Sequence, residues 1–221
     1  MKRFLTEHTE FFRQVRDTFH TTGAVAPSSS FVARALTRPM ERHNGPKRIL
    51  EVGPGTGSIT RRIVTLLRPE DRLDLVELND KFVDVLRRRL QHEPEFVRAA
   101  DRVGIHHMAI QDFRAEAPYD YIISGLPINN FTADLVREMF EVMFGLLAPQ
   151  GVLTYFEYIY MRKFKKNLST GARRERLTKL DALMDQLCAK HRFHRDSVLI
   201  NVPPAWANHL RHEDRKSTRL N

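Results

Sequence analysis

The stretch Glu51-Val52-Gly53-Pro54-Gly55-Thr56-Gly57 has the composition of a ligand-binding turn. Glycines on alternate positions let the backbone turn tightly and approach a ligand where a β-carbon would clash. A helix starting directly after such a turn points its first N–H groups at whatever is bound. The G-x-G-x-G spacing differs from the G-x-G-x-x-G of dinucleotide sites, which cradle a pyrophosphate. It suits a ligand made of a nucleoside and a zwitterionic amino acid. Glu51 can attract the cationic end of such a ligand, and Glu77, followed by Leu78, can accept hydrogen bonds from both ribose hydroxyls. In Ile110-Gln111-Asp112 an apolar side chain can pack on adenine while a carboxylate accepts from its amine. Each piece alone is an ordinary turn or a strand-end carboxylate. Together they fall at the ends of three successive predicted strands, on the edge where open α/β sheets bind ligands.

The elements that position these residues follow from hydrophobic periodicity. Strands are predicted over 47–52, 72–78, 103–110, 119–124, 151–158 and 197–202, and helices over 58–67, 81–90, 133–147 and 171–191. A further helix is expected over 31–40, and 205–210 can return as a short antiparallel strand after Pro203-Pro204. Strands alternating with helices indicate a mostly parallel sheet covered on both faces, an α/β fold. Ahead of it, Phe4, Leu5, Phe11, Phe12, Val15 and Phe19 fit one face of an amphipathic helix flanked by Lys2, Arg3, Arg13 and Arg16. The organisation expected is an N-terminal helix over 1–22, one domain over 23–211 and a basic, frayed tail over 212–221.

Composition narrows the setting. The chain of 221 residues has one cysteine, Cys188, so no intramolecular disulfide can form and a reducing compartment is expected. Cys188 itself reads as a small buried residue on a helix. No run approaches the roughly 18 apolar residues that span a bilayer. The N-terminus lacks the continuous apolar core of a signal peptide. A net charge of +9 suits nucleic acid or an anionic membrane equally well. The ten histidines form no H-E-x-x-H and no paired Cys/His spacing, so no metal is expected.

From 47 to 202 the pattern resembles the class I S-adenosyl-L-methionine-dependent methyltransferases, a Rossmann-like fold with a seven-stranded sheet. The resemblance implies that cofactor, with Glu51, Gly53, Gly55, Gly57, Glu77, Leu78, Ile110, Gln111, Asp112 and Ser124 around it. The acceptor is read from Ser124-Gly125-Leu126-Pro127-Ile128-Asn129-Asn130-Phe131. Leu126-Pro127 resembles the loop of ribosomal RNA adenine dimethyltransferases. However, Ser124 replaces the asparagine (or Gly125 does, depending on register), and Ile128 replaces the aromatic that stacks on the base. Stacking is worth about 1–3 kcal/mol per base, and Phe131 can compensate only if the loop is reshaped.

The chain is more similar to the bacterial phospholipid N-methyltransferases, the branch related to those RNA enzymes. The similarity lies in 22–29, 51–57, 124–127 and Asn201-Val202-Pro203-Pro204-Ala205. It implies methylation of phosphatidylethanolamine, in up to three steps towards phosphatidylcholine, at the inner face of the cytoplasmic membrane. The partners implied are an anionic membrane surface and the phospholipid substrate, met through the N-terminal helix; no nucleic acid is implied, and a monomer is expected. An arriving ammonium must lose a proton before its nitrogen can attack. Tyr158, Tyr160, Glu157 and Asn130, with Asn129, are the candidates around it. The basic segment Arg162, Lys163, Lys165, Lys166, Arg173 and Arg174 can bind lipid phosphates or RNA, or form a solvated face. RNA adenine N6-dimethylation is the rival reading.

Overall fold

The computed structural model describes residues 30–159, 170–201 and 203–213. The expected N-terminal helix, Tyr160, the basic cluster from Arg162 to Lys166, Val202 and the end of the tail lie outside the described residues. Helices α1 (Ser30–Thr37), α2 (Ser58–Leu66), α3 (Asp80–His92), α4 (Pro94–Val97), α5 (Ala133–Leu146) and α6 (Gly171–His191) surround the sheet. The strands are β1 (Arg48–Val52), β2 (Arg72–Glu77), β3 (Val103–His107), β4 (Tyr119–Ser124), β5 (Leu147–Tyr158), β6 (Arg192–Val198) and β7 (Ala205–Leu210). They form one seven-stranded sheet in the order β3-β2-β1-β4-β5-β7-β6. Only β7 runs against the others. This is the expected Rossmann-like architecture.

The central strands β1 and β4 are buried on both faces, which is why they read as nearly continuous apolar runs. One face carries α1 to α4, whose Leu36, Ile59, Ile63, Leu86 and Phe96 pack on Ile49, Leu75 and Ile123. The other carries α5 and α6, whose Val136, Met139, Phe140, Leu180 and Met184 pack on Leu50, Ile122 and Leu153. Both buried stripes have the three- and four-residue steps of an amphipathic helix. Asn79 caps α3 by accepting the N–H groups of Lys81 and Phe82, and Thr132 caps α5 by accepting that of Leu135. Cys188 is buried on α6, with its sulfur 3.1 Å from the Tyr155 hydroxyl.

Four boundaries differ from expectation. The helix over 31–40 ends at Thr37 and tightens into a 3₁₀ turn over Arg38–Arg42, because Pro39 has no N–H to continue the α pattern. β3 stops at His107, and Ile110 falls in the following turn. β5 begins at Leu147 and pairs irregularly with β4 before Val152. Gly151 sits in that irregularity, where a β-carbon would stand 2.9 Å from the Tyr119 carbonyl oxygen. The strand expected over 197–202 runs instead from Arg192 to Val198, leaving Leu199 and Ile200 in a turn. β6 is an edge strand carrying arginine and histidine, as edges do, and its composition hid it.

A buried ion pair anchors the start of β1. Lys47 and Asp71 are both buried, with the Lys47 ammonium on the Asp71 carboxylate. Asp71 also accepts the backbone N–H groups of Lys47 (2.9 Å) and Arg68 (2.7 Å), tying β1 to the turn that leads into β2. Removing one member of such a pair leaves a buried charge uncompensated. Asp71→Ala should therefore cost about 3–5 kcal/mol of unfolding free energy, measured by urea titration.

Candidate active site

The chain leaves β1 for β2 over one face of the sheet and leaves β4 for β5 over the other. Between β1 and β4 the outgoing loops therefore part, and a crevice opens at the carboxyl edge. Both loops continue their strands by one residue: Gly53 N–H reaches the Val76 carbonyl and Gly125 N–H reaches that of Val52, each at 2.9 Å. They also press on each other. A β-carbon at Gly125 would stand 2.5 Å from the Gly53 carbonyl oxygen, and one at Gly53 would stand 2.6 Å from the Leu126 side chain.

This refines the expectation for the glycines. Gly53, Gly55 and Gly57 all take positive φ, of 69°, 57° and 82°. Gly53 makes room for the second loop, and Gly57, beside Leu86, opens α2. Only Gly55 turns the place of its missing side chain towards open space, where a ligand can approach.

Two carboxylates flank this turn. Glu51 is wholly buried; one oxygen accepts the Thr60 hydroxyl at 2.7 Å, and the other, Oε1, has no hydrogen-bond partner. Burial pushes its carboxyl up to about 8, with the Thr60 hydrogen bond opposing and the nearby Glu77 charge adding to the rise. Glu77 is also buried. Its two oxygens accept the N–H groups of Gly55 at 3.0 Å and Asn79 at 2.8 Å. Burial raises Glu77 as well, against the pull of those N–H groups and of His107. An orphaned buried oxygen, an open backbone approach and a second oriented carboxylate fit a ligand carrying a cation and hydroxyls.

Past β3, the turn 108–113 is held by Asp112 N–H on the Ala109 carbonyl at 3.1 Å. Ile110 points into the core beside Phe113, while Gln111 is half-buried and Asp112 exposed. Leu78 is half-buried, and its carbonyl accepts from His107 at 3.1 Å.

The loop after β4 turns its larger apolar groups inward. Ser124 is buried, with its hydroxyl oxygen accepting Leu126 N–H at 3.4 Å. Ile128 and Phe131 both join the core under α5. Phe131 therefore does not supply the ring that Ile128 lacks. Asn129 and Asn130 are half-buried, and the Asn130 carbonyl accepts from Arg176 of α6 at 3.1 Å.

The candidates at the end of β5 separate. Glu157 lies on the α5–α6 face with Tyr155 and accepts the Asn208 amide at 3.1 Å. Tyr158 lies on the opposite face, edge-on to Phe156, and burial raises its hydroxyl. The structure thus does not bring Glu157 and Tyr158 to one point, since neighbouring residues on a strand face opposite sides. Thr60 and Asn79 are the parts of the crevice that sequence reasoning passed over, and Gly125 and Leu126 were read only as part of the acceptor loop, not as its contact with Gly53. Asn79 before Asp80 carried a legible capping signal; Thr60 carried none. Among the described residues, no cluster of His, Cys, Asp or Glu could hold a metal ion. No described helix is long and apolar enough to cross a membrane.

Residues 49–151 match a family model for a methyltransferase domain. An ornithine lipid N-methyltransferase of Singulisphaera acidiphila is 29% identical over 171 residues, 75% of this chain and 85% of that protein. A ribosomal RNA small subunit methyltransferase A of Marinobacter nauticus is 28% identical over 122 residues, 55% of this chain but 39% of that protein. Among solved structures, the O-methyltransferase TomG of Streptomyces achromogenes, in complex with SAM, has a TM-score of 0.62 at 16% identity. That likeness of fold covers 92% of this chain and 90% of TomG.

Glu51 gives stability a pH dependence of defined sign. Its carboxyl ionises near 4.5 in the unfolded chain and at about 8 in the fold, so between those values the folded state holds the extra proton. Stability therefore falls as pH rises through that window and levels off above it. Glu51→Gln removes this contribution. By calorimetry, its melting temperature should match that of the unsubstituted protein near pH 5 and exceed it by a few degrees at about pH 8.5. Parallel pH profiles would show that Glu51 titrates as it does in water.

Proposed function

We propose that the chain is an S-adenosylmethionine-dependent class I methyltransferase, as its match to the methyltransferase-domain model and its lipid N-methyltransferase relative support, and that it methylates the primary amine of a membrane aminolipid. The acceptor we favour is phosphatidylethanolamine, methylated towards phosphatidylcholine at the inner surface of the cytoplasmic membrane. The observation that carries this reading is the inward turn of Ile128 and Phe131, which leaves the loop after β4 without a ring for a nucleobase to stack on. A lipid headgroup amine needs no such platform. The ornithine lipid specificity of the Singulisphaera acidiphila relative supports the same chemical class, an amine carried by a lipid.

When bound, the cofactor supplies an electrophilic methyl group on a sulfonium. Around it, Glu51 would face the cationic end, Glu77 would hold the ribose hydroxyls, and Gln111 and Asp112 would meet the adenine. Gly55 lets the backbone come close, and Ser124 fixes the loop on the far side. The acceptor ammonium must shed a proton within reach of the methyl group. Of the candidates, Glu157 and the Asn130 loop share the α5–α6 face, and Tyr158 lies across the sheet. Glu157, a carboxylate on the same face as that loop, is therefore better placed than Tyr158 for an ammonium. The segment 1–22, with its phenylalanine stripe and cationic flanks, is the proposed membrane anchor.

The test supplies labelled S-adenosylmethionine in parallel with phosphatidylethanolamine vesicles, ornithine lipid vesicles and ribosomal RNA. Label in phosphatidylethanolamine is the expected result. Label only in ornithine lipid would keep the aminolipid class and overturn the favoured acceptor. Label only in RNA would overturn the lipid reading altogether.

A further inference from the structure

The turn between β6 and β7 carries two consecutive aliphatic side chains in the open. Val198 and Asn201 are buried at 8% and 7% exposure, whereas Leu199 and Ile200 between them are 69% and 73% exposed. The turn is well anchored. The Asn201 amide donates to the Pro203 carbonyl at 2.6 Å, and Ile159 N–H donates to that of Pro204 at 2.8 Å. Hairpin tips are normally built of Gly, Asn, Asp and Ser, which water solvates readily. Here a braced tip holds leucine and isoleucine outward instead.

Its position is informative. Ser124, at the mouth of the crevice, is level with Tyr155 of β5. Tyr158 pairs with Ala205, and Ala205 with Val198. The tip therefore stands three residues beyond the level of Ser124 on the same carboxyl edge, roughly 10 Å at strand rise. α1 descends the sheet, since the Leu36 carbonyl meets Thr154 and the Pro39 carbonyl meets Tyr121, the partner of Val152. Its first turn, with Phe31 at 45% exposure, thus points to that same edge. Exposed cations lie there too. Arg173 and Arg174 are in the first turns of α6, which Arg176 ties to the crevice loop. Exposed aliphatics beside exposed arginines, on the edge that holds a ligand crevice, are complementary to an anionic lipid surface.

We propose that the Leu199–Ile200 tip inserts into the outer layer of an anionic bilayer and seats the crevice against it. This rests on the reading that the acceptor is a membrane lipid. It adds a contact point within the folded domain, separate from the segment 1–22. In the bound orientation, the carboxyl edge of the sheet faces the membrane, and a headgroup amine reaches the crevice without its lipid leaving the bilayer.

The test uses the full chain. Ile200→Cys is labelled with an environment-sensitive nitrobenzoxadiazole dye, and the unsubstituted protein, whose one cysteine is buried, serves as the labelling control. Vesicles contain phosphatidylglycerol and phosphatidylethanolamine, with brominated chains in a parallel set. The expected result is a blue shift on vesicle addition, quenched by the brominated lipid. In flotation, Leu199→Ser with Ile200→Ser should lower vesicle partition about tenfold or more, with an unchanged melting temperature. The proposal is overturned if the dye spectrum does not respond to vesicles or the double variant partitions like the unsubstituted protein. It is equally overturned if the dye is already blue-shifted without vesicles, which would mean that another part of the chain or a second copy covers the tip. Methylation of vesicle lipid by the unsubstituted protein is scored separately. Methylation without tip insertion sinks this proposal alone, and insertion without lipid methylation sinks the functional reading alone.

Discussion

The backbone contact between Gly53 and Gly125 is the constraint on which the site depends. Two parallel strands, about 4.7–4.9 Å apart in any sheet, each send a loop over the same edge, and the loops press on each other before they part to opposite faces. Only residues without a β-carbon let them do so, because a methyl group on Gly125 would overlap the Gly53 carbonyl oxygen. Glycine costs conformational entropy on folding, so its use in both loops has to be offset by what the contact fixes. What it fixes is the position of Gly55. With Gly53 pressed against the second loop and Gly57 turned into α2, the intervening turn has little freedom. Its Gly55 N–H is aimed at Glu77.

That geometry places two carboxyl groups where burial disfavours their charge. Glu51 keeps one oxygen with no partner, and an unsatisfied buried acceptor costs on the order of 1–3 kcal/mol. Glu77 offsets its burial with backbone N–H groups; Glu51 has only Thr60. The difference fits the role we propose for Glu51. A carboxyl satisfied within the protein would have nothing left for a cation, whereas one left partly unpaired gains most when a cation arrives. Ligand binding then returns stability that the empty crevice lacks, since whatever binds the folded state alone stabilises it by mass action.

The strand ends and the glycine turn that form the crevice were legible because they are local. Glu51, the glycines and Glu77 lie within or at the ends of strands that announce themselves by apolar runs, and β1, β2 and β4 fell where periodicity placed them. The antiparallel return over Ala205–Leu210 was legible for the same reason, with Pro203-Pro204 as punctuation. Errors arose where the long-range context decides. Ser197-Val198-Leu199-Ile200-Asn201-Val202 has every property of a buried strand, but pairing with β7 uses Arg192–Val198 and pushes the next two residues into the open. Phe131 could replace the missing ring only in a reshaped loop, and packing under α5 claims it instead. Glu157 and Tyr158 read as neighbours, and the pleat divides them.

The two halves of the site therefore differ in kind. The half we propose for the donor is made of backbone and short spacings, and it says nothing of the acceptor. The half we propose for the acceptor draws on the β4 loop, the end of β5 and the start of α6, and the Arg176 hydrogen bond to the Asn130 carbonyl joins the first and last of these. Its character comes from what it withholds. By burying Ile128 and Phe131, the loop gives up a stacking surface in the crevice. The edge beyond it, meanwhile, displays Leu199 and Ile200 with nothing from the described core upon them. A crevice whose β4 loop offers no platform for a base, set in an edge with an apolar lip, suits the acceptor we propose, whose bulk would stay outside the protein while only its amine enters.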